Sequence, residues 1–130
     1  MSKHREPVTA FGAPAALGPY SHAVRAGSLL FCSGQIALDP DSGQLAGTEA
    51  AEQTRRCLTN LGAVCAAAGA TLADAVRCTV YLTDLAAFGD VNDAYAEFFE
   101  GDPPARVTVG VAALPKGAQV EIDAIVALPG

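Results

Sequence analysis

Two periodicities divide the chain. Val76, Cys78, Val80 and Leu82 alternate with Arg77, Thr79, Tyr81 and Thr83, the pattern of a strand with one apolar and one mixed face. The same alternation runs through Val107, Val109 and Val111, and through Val120, Ile122, Ala124 and Val126. Two earlier runs, residues 22–26 and 29–36, read as hairpin partners separated by Gly27-Ser28. Between these stretches the period becomes three to four residues. Ala51, Thr54, Cys57, Leu58, Leu61, Val64, Cys65 and Ala68 form one helical stripe, with Thr48 predicted as its N-cap and Gly69 as its stop. A second helix is predicted from Asp84, with Leu85, Phe88, Val91, Tyr95, Phe98 and Phe99 on its apolar side, broken by Glu100-Gly101-Asp102-Pro103-Pro104. The order strand, strand, helix, strand, helix, strand, strand predicts an α+β fold with two helices covering one face of a sheet.

The other face has nothing left to cover it. Thr79, Tyr81, Thr108, Gly110 and Ile125 are predicted there, and they are too uncharged for an open surface, so an oligomer is expected, with Arg106 and Glu121 near the edges of a subunit interface. At 130 residues the chain reads as a single domain, 1–130, in which residues 1–13 are loosely ordered or peripheral. Hydrophobic residues make up 51% and charged residues 17%, a globular composition. The net charge of −6 and the scatter of basic residues, apart from Lys3, Arg5 and Arg55-Arg56, argue against nucleic acid or an anionic membrane as partner. No run resembles a signal peptide or a membrane span, so a cytoplasmic location is the default expectation. Cys32, Cys57, Cys65 and Cys78 show no CxxC, and with His4 and His22 they lack metal-ligand spacing, so they read as small buried hydrophobes.

Two charges stand out against this background. Arg106 opens the valine-rich strand and Glu121 opens the row opposite Val120 and Ile122. A guanidinium fixed at a strand start can grip a carboxylate bidentately, and a nearby carboxylate can handle water or protons. The alternative is a surface ion pair or two solvated strand ends. Gly34 inside its strand marks either a bulge or the close approach of another group to the backbone.

With these residues in place the chain resembles the RidA (YjgF) family, the reactive-intermediate deaminases. The resemblance runs through Ala15-Ala16-Leu17-Gly18-Pro19-Tyr20-Ser21, Ser33-Gly34-Gln35-Ile36, Gln53-Thr54, Asn60-Leu61, Val91-Asn92, Pro104-Ala105-Arg106, Leu114-Pro115-Lys116 and Val120-Glu121-Ile122, nearly the whole chain from about Pro14 onward. It implies a chorismate-mutase-like α+β subunit with a mixed sheet, a homotrimer, and three ligand clefts between subunits. It implies Arg106 as the holder of a substrate carboxylate, Glu121 as the water-handling group, and Tyr20, Ser33, Gly34, Asn92 and Thr108 as substrate-binding residues. No metal and no organic cofactor are implied. Each residue also has a plainer role available: Tyr20 as packing beside a turn, Asn92 as a local hydrogen-bonding residue, Ser33-Gly34 as a bulge alone. Many relatives carry Ser or Thr directly after the arginine and Cys two residues after it, where this chain has Val107 and Thr108.

The reaction the resemblance implies is hydrolysis of a 2-imino or enamine acid, such as 2-iminopropanoate or 2-iminobutanoate, to the 2-keto acid and ammonia. A trimer that binds small carboxylates without turning them over is the alternative from another class. A ribonuclease or translation inhibitor is a third, opposed by the acidic charge balance.

Overall fold

The computed structural model describes residues 4–130. Its strands are β1 (Glu6–Val8), β2 (Ala23–Ala26), β3 (Leu29–Ile36), β4 (Ala75–Leu82), β5 (Ala105–Gly110) and β6 (Val120–Ala127), and its helices are α1 (Ala50–Ala67) and α2 (Phe88–Ala96). The strands form one sheet in the order β1-β2-β3-β6-β4-β5. All neighbours are antiparallel except β4 and β5, which run parallel across the α2 crossover. The sheet is therefore mixed, and the fold is α+β as the periodicities predict.

Alternation decides what each strand gives to the core. Leu30 and Cys32 from β3, Val80 and Leu82 from β4, and Val120, Ile122 and Val126 from β6 are buried against Leu58, Leu61 and Val64 of α1. This apolar burial supplies most of the driving force for folding. α2 packs beside α1. All four cysteines are free and buried, and burial raises the thiol pKa values of Cys57 and Cys78, which keeps both protonated.

Three expectations need correction. Thr108 and Gly110 do not lie on the uncovered face. The parallel ladder sets Arg106 beside Cys78, whose side chain is in the core, so Arg106, Thr108 and Gly110 share the helix side and Leu85 fills the space a Gly110 side chain would take. The open face instead carries Val107 and Val109, each 37% exposed, with Phe31 at 44%. Second, residues 4–13 are not a loose start, although β1 is peripheral as the edge strand. Glu6–Val8 pairs with β2, and buried His22 fastens the next turn: its Nδ1 accepts from the Ala10 N–H at 2.9 Å and its Nε2 donates to the Pro14 carbonyl at 2.8 Å. A three-residue strand is too short to show a period, and its anchor lies far along the chain; residues 1–3 fall outside the described residues. Third, the α1 cap is Glu49, not Thr48, whose carbonyl is taken by Gln119 Nε2 at 2.7 Å, and the predicted second helix begins as a short 3-10 turn, Leu85–Ala87, before α2.

Two of the family-like motifs are structural clamps. Gln53 Nε2 donates to the Gly47 carbonyl while its Oε1 accepts from the Gln119 N–H, tying α1 to the approach to β6. Asn60, fully buried, donates from Nδ2 to the carbonyls of Ile36 at 3.2 Å and Leu38 at 3.0 Å, which fixes the end of β3 against α1. Asn60→Ala is expected to lower the unfolding free energy by roughly 1–3 kcal/mol, the cost of buried acceptors left without a donor. Asn60→Asp should cost more, because its oxygens only accept and would face two carbonyls. Urea unfolding of the three proteins checks the order.

Candidate active site

The structure sorts the sequence-predicted site residues into two groups that a single chain does not bring together. Glu121 alternates with buried Val120 and Ile122, so it projects from the open face of β6. Arg106 lies on β5, beyond β4, and faces the helices. The two charges are on opposite faces of the sheet.

The first group surrounds a β-bulge. Cys32 pairs with Ala124 and Gln35 with Ile122, so Ser33 and Gly34 together oppose Asp123. Both readings of Gly34 therefore hold. The bulge brings Gly34 under the Glu121 side chain, where a Cβ would overlap a carboxylate oxygen and stand 2.9 Å from Cδ. Ser33 Oγ donates to the Ser21 carbonyl at 2.6 Å, and the Leu17 N–H donates to Tyr20 Oη at 3.1 Å, so both hydroxyls help shape the loop as well as facing the cleft. Leu17, Tyr20, Ser33, Gly34, Pro115 and Glu121 line a cleft of about 470 Å³. Pro115 reaches it through a tight turn in which Lys116 (φ 59°) and Gly117 (φ 70°) are both left-handed. Burial, and secondarily the charge of Asp123, raise the Glu121 pKa.

The second group is built on α2. Arg106 Nη2 donates to Asn92 Oδ1 at 2.7 Å, and the guanidinium carbon lies 4.8 Å from the Tyr95 ring centroid and 5.6 Å from that of Phe88. The ion-pair reading of Arg106 finds no support: among the described residues the salt bridge joins Arg55 to Glu97, not Arg106 to any acid. Asn92, Tyr95, Phe99, Pro103, Pro104 and Arg106 border a trough of about 360 Å³. Thr108, next on the same row, has its Oγ1 buried without a hydrogen-bond partner, shut away from the open face.

Sequence reasoning missed three contributors. Phe88 and Tyr95 were assigned to an apolar stripe, although their spacing with Asn92 places all three on one helical face. Asp123, which the motifs do not single out, accepts from Tyr81 Oη at 3.0 Å and from the Thr79 N–H at 3.2 Å, beside Glu121 on β6. Its signal was the two-residue step that gives strand neighbours a common face. Among the described residues no group of three or more His, Cys, Asp or Glu is placed to hold a metal ion, and no helix is long and apolar enough to cross a membrane.

The α+β fold carries an arginine on one face, with no acidic partner among the described residues, and a carboxyl of raised pKa on the other, and comparison with known proteins names the family. The model of the endoribonuclease L-PSP family matches residues 11–128. The chain belongs to this family, the YjgF/RidA family. It is 46% identical over 121 residues to the mouse 2-iminobutanoate/2-iminopropanoate deaminase, covering 93% of this chain and 90% of that protein. Among solved structures, RidA from an Antarctic Psychrobacter superposes with a TM-score of 0.91 at 39% identity, covering 95% of this chain and 99% of the other. TdcF of E. coli with bound serine gives a TM-score of 0.90 at 36% identity, with the same coverage.

Gly34→Ala should push the Glu121 carboxylate off the bulge into water. Because burial is the main cause of its raised pKa, that pKa should fall toward the ordinary glutamate value. Carboxyl carbon NMR titration of the two proteins measures the shift, and an unchanged value would show that the glycine does not shelter the carboxylate.

Proposed function

We propose that this chain hydrolyses 2-imino acids, among them 2-iminopropanoate and 2-iminobutanoate, to 2-keto acids and ammonia, as a homotrimer whose clefts lie between subunits. The observation that carries the reading is the division of the site: an arginine with no acidic partner among the described residues and a glutamate with a raised pKa occupy opposite faces of one sheet. A substrate that needs both must sit between two copies. The apolar open face around Phe31, Val107 and Val109 supports such an assembly, and the deaminase name of the mouse relative supports the reaction. The serine bound to TdcF is itself a carboxylate-bearing amino acid, as this reading of Arg106 requires.

The chemistry asks little of the protein. A protonated imine carbon is already electrophilic, so the site has to hold the carboxylate, aim a water and move protons. Arg106 grips the substrate carboxylate through its in-plane N–H groups. Glu121, ionised, takes a proton from the attacking water as the C–O bond forms, giving a tetrahedral amino alcohol. The same carboxyl then returns that proton to nitrogen and takes the hydroxyl proton as the C–N bond breaks and the C=O bond forms, so ammonia leaves, the keto acid stays behind, and the carboxyl passes its proton on to the ammonia or to water. Burial suits Glu121 to both steps, because a pKa nearer neutrality lets one group accept and donate. Tyr20, Ser33 and Gly34 orient the substrate in this proposal, while Asn92 acts on Arg106 and Thr108, with its Oγ1 buried, takes no part in binding.

Loss of an imine generated in situ by an amino-acid oxidase, timed with and without the protein, tests the reaction. Decay at the uncatalysed rate, together with thermal stabilisation by 2-oxobutanoate, would favour a binding protein without turnover. Light scattering should give a trimer at micromolar concentration, and a monomer would remove the cleft.

Two substitutions separate the roles. Glu121→Gln keeps size and hydrogen bonding but cannot take a proton, so turnover should fall about 10²- to 10⁴-fold while 2-oxobutanoate still stabilises the protein. In the unaltered protein the acid limb of kcat/KM should lie above the ordinary glutamate range, since the base must be ionised and its pKa is raised. Arg106→Lys should fail nearly as badly as Arg106→Ala, because an ammonium keeps the charge and loses the planar fork. Near-normal turnover with lysine would show that charge alone is enough.

A further inference from the structure

We propose that Tyr95 is a positioning residue for Arg106, and that the α2 face formed by Phe88, Asn92 and Tyr95 is a mounting that fixes the guanidinium plane before any ligand arrives. The inference rests on the carboxylate-binding role proposed for Arg106. It deepens that role by assigning the arginine's geometry to a helix rather than to its own strand.

Three independent contacts converge on one group. Asn92 Oδ1 takes one in-plane donor at 2.7 Å, which leaves the remaining N–H groups of the fork for a carboxylate. The rings of Tyr95 and Phe88 lie 4.8 and 5.6 Å from the guanidinium carbon, both within the range where an aromatic face attracts a cation. Residues 88, 92 and 95 fall on one side of α2, so a single rigid element carries all three.

Tyr95 is the fixed part of this mounting. It is 6% exposed, packs in the main core and meets the ring of Phe99 at 4.7 Å in a tilted contact, whereas Phe88 is 42% exposed. Its hydroxyl has no hydrogen-bond partner among the described residues, and burial raises its pKa, so the group stays neutral. What Arg106 receives from Tyr95 is thus the face of a ring, not a hydrogen bond or a charge.

A long flexible side chain loses rotamer freedom when it closes on a ligand, and a side chain already held in its bound form does not. The Tyr95 and Phe88 rings also occupy space that water would otherwise take beside the guanidinium, whose N–H donors point outward in its own plane. Removing the ring should therefore weaken carboxylate binding even though no atom of Tyr95 touches the ligand.

The test measures the 2-oxobutanoate concentration giving half-maximal thermal stabilisation, and KM for the in-situ imine, on the intact oligomer. Tyr95→Leu should raise both about tenfold, the size of a lost cation–π contact at a partly desolvated site. Tyr95→Phe keeps the ring and should retain most of the response. A Tyr95→Leu protein that melts earlier but binds 2-oxobutanoate at unchanged concentration would overturn the proposal, since a purely structural role predicts that split. If Tyr95→Leu fails to fold, Phe88→Leu on the exposed side of the guanidinium decides, with unchanged half-saturation again overturning it. A wild-type protein that binds 2-oxobutanoate but does not accelerate imine loss would refute the hydrolase reading, and the binding arm would still judge the mounting. No response to 2-oxobutanoate in the wild type would overturn both.

Discussion

The register between β4 and β5 is the constraint on which the site depends. Because Arg106 stands beside Cys78 in the ladder, its side chain must leave the sheet on the helix side, where α2 is waiting for it. The antiparallel register of β6 with β4 sets Glu121 beside Tyr81, on the opposite side. A slip of one residue in either ladder would exchange the faces, burying a carboxylate in the core or turning the arginine away from Asn92. The buried rows of both strands, Val80 and Leu82 on one and Val120 and Ile122 on the other, make such a slip costly. The core thus fixes the position of charges it does not contain.

Each half-site keeps its charge in a state that water alone would not give. Arg106 lies close to two aromatic rings with a neutral amide as its hydrogen-bond partner, and among the described residues no acid pairs with it. Glu121 lies half-buried over a bulge with Asp123 as neighbour, so its ionised form is disfavoured. Both are unfavourable for an isolated chain, and local departures from stability rules cluster where a protein binds or reacts. In the proposed reaction a substrate carboxylate at Arg106 would relieve the first and a proton taken from water the second.

The sheet and its helices were legible in the sequence because their apolar rows are long enough to display a period. The alternation of Val120 to Val126 and the stripe from Cys57 to Cys65 gave the right elements with the right buried sides. What was illegible depended on pairing. Alternation shows that Arg106 and Thr108 share a face, but not which face, and only the ladder to Cys78 settles that. The short strand β1 has no period to read, and the clamp of His22 on Ala10 joins positions that nothing in the sequence links. Motif resemblance names the candidate residues, whereas their separation into two groups was not legible, since a motif carries no information about which side of a sheet it faces.

The central claim, that a working cleft takes Arg106 from one chain and Glu121 from another, is tested most directly by mixing two inactive proteins. Arg106→Ala and Glu121→Gln chains, co-expressed with different tags and purified as mixed assemblies, are each expected to be inactive alone in the imine assay. In the purified mixed trimers about a third of the clefts should be intact, because every mixed trimer rebuilds one Arg106–Glu121 pair among its three clefts. Recovery near that level is the predicted result. Mixed assemblies as inactive as their parents would contradict a cleft shared between chains.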